Sequence, residues 1–311
     1  MEKSGGAERY RAAAMVLPSR LRAAALEVPE AKQAAAEEIR LRVGGAMTIL
    51  LPDGEASTGA WVEAEDLETL CDIATEFSRY AAAETLREGF LTVKGGFRVG
   101  LCGSAVMKDG ANTNLKYLSS AAIRIGRERK GIAKELAPRL FRDGEFLNTL
   151  ILSPPGGGKT TLLRDLTRLL STGGEGFEAR RVALIDERGE VAAMLRGRAQ
   201  MDAGPHTDIL DACPKAVGIP IVLRAMNPQI IATDEITMPE DVRAASMAAG
   251  CGVGLLATVH ASGAEELSEK PLYRDLLERR IFRLAVRIVR GADGRRYEVE
   301  ELGAAAEEAE A

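Results

Sequence analysis

The stretch Leu150-Ile-Leu-Ser-Pro-Pro-Gly-Gly-Gly-Lys159-Thr160-Thr161-Leu-Leu-Arg164 decides the fold of this chain. Residues 149–152 are an apolar run, which predicts a short buried strand, and the prolines and glycines that follow predict a loop. Leucines at positions 162, 163, 166, 169 and 170 then share one face of a predicted helix. Strand, glycine loop and helix N-terminus in this order favour a bound phosphate, because the loop amides and the helix dipole both attract an anion.

The side chains of this phosphate loop (residues 153–160) have separate predicted roles. Lys159 reaches the β- and γ-phosphates of a nucleotide, and the Thr160 hydroxyl holds Mg²⁺. Ser153 stands where the pattern has its first glycine, and because Pro154 restricts it to extended backbone, we expect the turn to begin differently. The alternative interpretation is an ordinary Gly/Pro connection. The predicted nucleotide-binding residues are Pro155, Gly156, Gly157, Gly158, Lys159, Thr160 and Thr161.

Composition limits the kind of protein this chain can be. It has 311 residues, enough for two domains, and 46% of them are hydrophobic and 28% charged, as is usual for globular proteins. A net charge of −5 disfavours a dedicated nucleic-acid binder.

The four cysteines form no CxxC pair and there are two histidines, so we expect no zinc site and a reducing cytoplasm. No apolar run has the length of a membrane span and the start lacks a signal-peptide core, which also favours the cytoplasm.

The pattern of predicted elements divides the chain into two domains and a tail. Residues 1–130 combine Ala-rich helices with alternating strands and hairpins, which predicts a small α+β domain. In residues 131–303 apolar strands are separated by helical stretches, which predicts parallel β–α units in a doubly wound sheet. Residues 304–311 are rich in Ala and Glu, and we expect a flexible acidic tail. The fold class is therefore α/β, with a P-loop NTPase core and a smaller N-terminal α+β domain.

Three further predicted strands of this core, in residues 181–187, 228–236 and 252–259, end in polar side chains. These are Asp186-Glu187, Asp234-Glu235 and His260. Ligands of doubly wound sheets lie beyond the carboxyl ends of the strands. We therefore expect all five side chains to lie at the same edge as Lys159 and Thr160.

Transfer of a phosphoryl group to water needs Mg²⁺, an oriented water and neutralised charge, and two acidic pairs compete for these tasks. P-loop ATPases with a catalytic glutamate have a RecA-like sheet with one strand inserted between the phosphate-loop strand and the acidic strand. Residues 252–259 would be that strand here. This assignment places Asp234 on Mg²⁺ through water and makes Glu235 the base that orients the attacking water.

The remaining polar strand ends, at Asp186, Glu187 and His260, each have two possible roles. Glu187, with Asp186, forms a second acidic pair beside the nucleotide, and His260 would donate to the γ-phosphate or its water. We include Glu187 and His260 with Glu235 and Lys159 as candidate catalytic residues. A helix cap with an exposed neighbour remains the alternative for the Asp186-Glu187 pair, and an ordinary loop histidine remains the alternative for His260.

Motifs along the chain resemble those of one family, stage III sporulation protein AA. The similarity runs from about residue 35 to about residue 290, and the order of the motifs makes it specific. The motifs are Ile39-Arg-Leu-Arg-Val-Gly44, Gly95-Gly-Phe-Arg-Val-Gly-Leu101, Ile123-Arg-Ile125, Pro154-Pro-Gly-Gly-Gly-Lys-Thr-Thr-Leu-Leu-Arg-Asp165, Ile185-Asp-Glu-Arg188, Asp208-Ile-Leu-Asp-Ala-Cys-Pro-Lys215 and Thr233-Asp-Glu-Ile236.

That family is similar to the ATPases of type II and type IV secretion and of pilus motors. The resemblance implies a hexameric ring that hydrolyses ATP with Mg²⁺ in the mother cell of an endospore-forming bacterium. The ring would sit at the cytosolic base of a membrane channel to the forespore, peripheral to the membrane through the channel proteins. By the superfamily's pattern, Asp186-Glu187 falls on the acidic box and residues 258–260 on the histidine box. Ser153, Thr237 and Ala261 stand where glycine is common, which concerns loop shape.

Two other functions stay open at the level of sequence. A basic strip, Arg124, Arg127, Arg129 and Lys130, favours a P-loop motor that acts on nucleic acid, although the acidic net charge and the few aromatic residues disfavour it. The other alternative is an assembly scaffold that binds ATP to hold a shape.

Overall fold

The computed structural model describes residues 2–79, 82–126, 128–291 and 294–302. The chain forms two compact units, each with its own buried core. The first unit contains Met1–Arg127 and Ala193–Gln200, and the second contains Glu128–Ala192 and Met201–Ala311. The acidic tail predicted at 304–311 lies outside the described residues.

Within its described part, the first unit is a six-stranded antiparallel sheet with helices. The helices are α1 (Glu2–Ala14), α2 (Ser19–Leu26), α3 (Glu30–Ala35), α4 (Ala64–Ala74) and α5 (Ala83–Arg87). The strands are β1 (Glu38–Arg42), β2 (Ala46–Leu51), β3 (Gly54–Trp61), β4 (Phe90–Val93), β5 (Phe97–Lys108) and β6 (Ala111–Arg124). They pair in the order β3-β2-β1-β6-β5-β4.

The alternation of side chains along β1 and β2 explains the layers of this unit. Ile39 and Leu41 of β1 are buried, whereas the arginines between and after them point away from the core. Because successive side chains in a strand face opposite sides, one face of the sheet is apolar. That face shares its core with helical residues such as Leu67 and Tyr10. The Tyr10 hydroxyl donates to the carbonyl of Ala25 over 2.9 Å, which joins α1 to α2.

Over the residues described, the second unit is built on a seven-stranded sheet. Its helices are α6 (Lys159–Thr172), α7 (Lys215–Ala225), α8 (Pro239–Gly250), α9 (Ala264–Glu269) and α10 (Pro271–Glu278), and Ala137–Leu140 forms a 3₁₀ turn. The strands from residue 141 onward are β7 (Phe141–Arg142), β8 (Glu145–Phe146), β9 (Thr149–Leu152), β10 (Val182–Asp186), β11 (Met194–Leu195), β12 (Arg198–Ala199), β13 (Thr207–Asp211), β14 (Ile230–Glu235), β15 (Gly254–Val259), β16 (Leu284–Gly291) and β17 (Gly294–Glu301). Strands β7 and β8 form a separate pair, and the β11–β12 hairpin belongs to the first unit.

The strand order of the large sheet is β13-β10-β14-β15-β9-β16-β17. The strands from β13 to β16 are parallel to their neighbours, and only the final pair, β16 and β17, is antiparallel among the strands described. Strand β15 lies between β9 and β14, which confirms the predicted insertion. All residues of β9 and β10 are buried, as expected for parallel strands covered on both faces.

Several elements differ from the sequence-based expectation. The mixed sequence of residues 189–210 predicts an irregular loop, but β13 begins within it; its exposed and half-buried residues give a weak apolar signal at the edge of the sheet. The alternation in residues 281–289 predicts an edge strand, and this is wrong, because β16 pairs with both β9 and β17. The sequence pattern does not indicate β3, and it predicts strands only at residues 97–101 and 121–125, whereas β5 and β6 extend beyond these residues as a mainly exposed hairpin.

Across the part of the chain that the structure describes, no helix combines the length and the apolar character needed to cross a bilayer. The cysteines at positions 71, 102, 213 and 251 are free thiols.

Candidate nucleotide-binding site

The carboxyl ends of the parallel strands bring the predicted site residues to one edge of the sheet in the second unit, the carboxyl edge. The phosphate loop follows β9, and His260 follows β15 directly. Strand β14 ends at Glu235, and Glu187 follows the last residue of β10. Because these strands are parallel neighbours, their ends open on the same edge.

The phosphate loop depends on two glycines with left-handed backbone. Gly156 has φ 71° and Gly158 has φ 106°, a region that other residues rarely adopt. Gly158 immediately precedes α6, so the turn directs the loop into the first turn of that helix. Thr160 and Thr161 lie in this first turn and are partly exposed, while Pro155 and Gly156 are exposed.

Ser153 has a packing role in the loop. It is buried, and its hydroxyl oxygen lies 1.6 Å from the point that a Cβ on Gly157 would occupy. The Ser153 Cβ lies 2.8 Å from the same point. Ser153 therefore fills space beside Gly157, and an alanine at position 157 would force the loop to move.

The Lys159 ammonium is turned toward the protein. Lys159 is 8% exposed, and its Nζ donates to the carbonyl oxygens of Ser153 over 2.7 Å and Pro154 over 3.3 Å. Nζ also lies 2.8 Å from Nδ1 of His260. Burial lowers the pKa of Lys159, against the opposing effect of the Glu235 carboxylate.

His260 connects Lys159 to Glu235. Its Nε2 lies 2.6 Å from Oε2 of Glu235. An ammonium has only donors, so Nδ1 of a neutral His260 accepts from Lys159 and its Nε2–H donates to the carboxylate. The three side chains form a continuous series of contacts from the phosphate loop, across β15, to the end of β14.

A second group of charges lies beside the first and is centred on Lys215, the first residue of α7. Its ammonium contacts the Glu187 carboxylate and lies 3.0 Å from Oδ1 of Asp234. Burial acts to lower the pKa of Lys215, but the carboxylates of Asp234 and Glu187 outweigh it, and the pKa is raised. Burial raises the pKa of Asp234 to about 6, with Lys215 opposing the shift.

Asp186 serves the loop after β10. It is completely buried, and its carboxylate accepts hydrogen bonds from the backbone N–H groups of Glu190, Val191 and Ala192 over 2.8–3.2 Å. These contacts hold a tight turn, much as a helix cap would. Asp186 and Glu187 therefore have different surroundings, although they are adjacent in sequence.

The residues at this edge fit a magnesium ion by their chemistry. Thr160 offers a hydroxyl and Asp234 a carboxylate, and Mg²⁺ prefers such hard oxygen donors and retains waters of its own. Oδ1 of Asp234 is buried and has no aligned hydrogen bond with any described residue, although Lys215 is close. Among the residues that the structure describes, no three His, Cys, Asp or Glu side chains cluster as a metal site, so Mg²⁺ would need ligands from water and nucleotide.

Three basic residues at this edge were not predicted. Lys215 lies in one of the family motifs, but the sequence alone indicates no role for it. Arg290, at the end of β16, donates from Nη2 to the carbonyl of Gly156 over 2.8 Å. The Arg295 guanidinium lies 3.0–3.3 Å from the point that a Cβ on Gly158 would occupy. Arg290 and Arg295 lie near the phosphate loop because β16 pairs with β9 and β17 pairs with β16. The alternation of residues along β16 does not show this pairing.

Comparison with known proteins decides the family. The model of the family described as "Sporulation stage III, protein AA" matches residues 7–302. The chain belongs to this family. One relative is stage III sporulation protein AA of Bacillus subtilis (strain 168), which is 37% identical over 269 residues, covering 86% of this chain and 87% of the relative.

Two solved structures similar to this member of the sporulation stage III protein AA family are an ATPase and a pilus retraction motor. The ATPase DotB of Legionella pneumophila has a TM-score of 0.57 and 16% identity, covering 90% of this chain and 81% of its own. The pilus retraction motor PilT, solved with bound ADP, has a TM-score of 0.59 and 16% identity, covering 88% of this chain and 81% of its own. At this identity the likeness establishes the fold alone, an α/β fold shared with these two proteins.

Proposed function

We propose that this chain is a Mg²⁺-dependent ATP hydrolase. The observation that carries the proposal is the series of contacts Lys159–His260–Glu235, which joins a phosphate loop to a carboxylate across one inserted strand. Packing does not require a lysine, a histidine and a glutamate in contact at the exposed edge of a sheet. Phosphoryl transfer to water uses a phosphate-binding cation and a residue that orients the attacking water, and Lys159 and Glu235 can supply these two groups.

The proposed reaction uses these side chains in sequence. The backbone N–H groups of residues 156–161 donate to the phosphates, and Lys159 exchanges its carbonyl acceptors for β- and γ-phosphate oxygens. Glu235 orients the attacking water and accepts its proton, and His260 donates to the γ-phosphate or the water. The products are ADP and inorganic phosphate.

The metal-binding and second acidic positions complete the proposal. Thr160 would hold Mg²⁺ directly and Asp234 would hold it through water, and the ion would neutralise charge on the phosphates. Glu187 is a further candidate catalytic residue, in the second acidic pair, and its carboxylate contacts the Lys215 ammonium.

Steady-state measurement of phosphate release tests the proposal. We expect the purified chain to release phosphate from ATP in Mg²⁺ and to stop in EDTA, because the triphosphate charge is then not neutralised. A Lys159→Ala sample prepared in the same way sets the background. ATP binding without turnover above that background would contradict the proposal and favour the ATP-binding scaffold.

The family and its fold support a further part of the proposal, that six copies form a ring. The ring would bind membrane-embedded sporulation channel proteins from the mother-cell cytoplasm and energise their assembly or transport. The particle mass with ATP and Mg²⁺, measured on Glu235→Gln so that ATP persists, should reach six chains. A mass of one chain that persists at high protein concentration would exclude the ring.

The basic strip that favoured nucleic acid is partly neutralised in the structure. In the first unit, Arg124 lies 3.4 Å from the Glu38 carboxylate. In the second unit, Lys130 pairs with Asp202 over 2.6 Å. Arg127 lies outside the described residues. No observation in the described residues favours the nucleic-acid motor, and we do not propose it.

A further inference from the structure

Lys215 occupies an unusual position for a lysine. It is 4% exposed, although it is the first residue of α7, and its ammonium contacts carboxylates from the ends of two different strands. Glu187 follows β10 and Asp234 belongs to β14, and these strands are parallel neighbours. Lys215 therefore links the two strand ends through charge.

The local structure does not explain this placement. The positive end of the helix dipole lies at the N-terminus, so a cation in the first turn of α7 is unfavourable there. Burial of an ammonium adds a desolvation cost that is offset only by close, well-placed anions. The carboxylates of Asp234 and Glu187 supply these anions, so they account for the position of Lys215.

The packing of α7 is provided by other residues. Gly218, Ile219 and Val222 are buried on the same helix, and Ile219 and Val222 belong to the core of the second unit. A Cβ on Gly218 would lie 3.1 Å from Cγ2 of Ile185 in β10. The close approach of the helix to β10 at Gly218, one turn after Lys215, places the lysine side chain beside the end of that strand.

Lys215 also provides the contact that orients one oxygen of Asp234. Oδ1 of Asp234 is buried and has no aligned hydrogen bond within the described structure, yet it lies 3.0 Å from the Lys215 Nζ. The attraction between the close ammonium and this oxygen restricts the rotation of the buried carboxylate. The other oxygen then keeps one direction, which a water-mediated metal contact requires.

We propose that Lys215 is a positioning residue that holds Asp234 in the orientation needed for the Mg²⁺ of a bound nucleotide. The proposal rests on the function proposed above. Lys215 does not touch the phosphates in this role, which belongs to Lys159. It acts on the metal through Asp234, while its contact with Glu187 ties the end of β10 to the same arrangement.

Nucleotide affinity with and without Mg²⁺ tests the proposal. In Lys215→Met, we expect the gain in ATP affinity caused by Mg²⁺ to fall roughly 10- to 100-fold, as when outer contacts of a metal site are lost. Affinity in EDTA should stay at the wild-type value, because the phosphate loop is unchanged. The exposed Lys134→Met, in the same unit, is the matched control and should behave as wild type. An equal loss of affinity in Mg²⁺ and in EDTA would overturn the proposal.

A double variant separates positioning from a general effect on the fold. Lys215→Met leaves the buried Asp234 unpaired, whereas Lys215→Met with Asp234→Asn removes both charges together. If Lys215 acts through Asp234, Lys215→Met causes no further loss of the Mg²⁺ effect in the Asp234→Asn background. Additive losses in the two backgrounds would contradict the proposal.

The two proposals can fail separately. If wild-type protein binds ATP in a Mg²⁺-dependent way but shows no turnover, the hydrolase function fails. The ATP affinities of the single and double variants, measured with and without Mg²⁺, then still decide the role of Lys215. If wild-type protein turns over ATP and the Lys215→Met variant keeps the full Mg²⁺ effect, the hydrolase stands and the positioning role fails.

Discussion

The Lys159→Ala variant should bind ATP roughly 100-fold more weakly than wild type, and its turnover should fall to background. Hydrogen bonds from an ammonium to charged oxygens are each worth about 1.5–3 kcal/mol, and alanine can supply none of them. Removal of the side chain also breaks the contacts with Ser153 and His260 that hold the phosphate loop. Fluorescent-nucleotide titration measures the affinity, and phosphate release measures the turnover.

The control for this variant is Lys134→Ala, which removes an exposed lysine from the same unit. Thermal unfolding of both variants shows whether the second unit remains folded. ATP binding by folded Lys159→Ala at the wild-type affinity would show that the phosphates bind elsewhere, and the assignment of the phosphate loop would then be wrong.

The Glu235→Gln variant should retain ATP and lose turnover. Glutamine keeps the shape of the side chain and can still contact His260, but it cannot accept a proton from water. Loss of a general base typically lowers a rate by about 10²- to 10⁴-fold. Single-turnover hydrolysis measures the chemical step, and filter retention of ATP shows that binding survives.

Glu240→Gln makes the same chemical change on the exposed first turn of α8 and should leave the rate unchanged. Glu187→Gln gives a second comparison, because it alters the other acidic pair. Hydrolysis by Glu235→Gln at the wild-type rate would refute the assignment of the base. A larger loss in Glu187→Gln than in Glu235→Gln would move the catalytic role to the second pair.

The sequence predicted the part of the site that local signals determine. An apolar run followed by a glycine loop identifies β9 and the phosphate loop, and acidic pairs at strand ends identify Asp234 and Glu235. The position of β15 between β9 and β14 followed from an analogy with a class of ATPases, and the strand order confirms it. The functions of these residues stay predictions.

The remaining part depends on contacts between distant segments. Lys215 gives no local signal, because nothing in the adjacent sequence shows that its side chain meets two carboxylates. Its importance comes from the pairing of β10 with β14 and from the close approach of α7 at Gly218. The place of Ser153 likewise depends on the space beside Gly157. Strand β16 was assigned to an edge because alternation cannot show that a strand has partners on both sides.

The inward position of Lys159 has a consequence for the rate of the cycle. Its ammonium already has three acceptors in the protein, so an incoming triphosphate must compete with them. In the proposed cycle, this competition weakens ATP binding by the free energy of those contacts. After loss of the γ-phosphate, the return of Lys159 to His260 would compete with bound ADP in the same way. The contact between Lys159 and His260 would therefore favour release of the product from the proposed hydrolase.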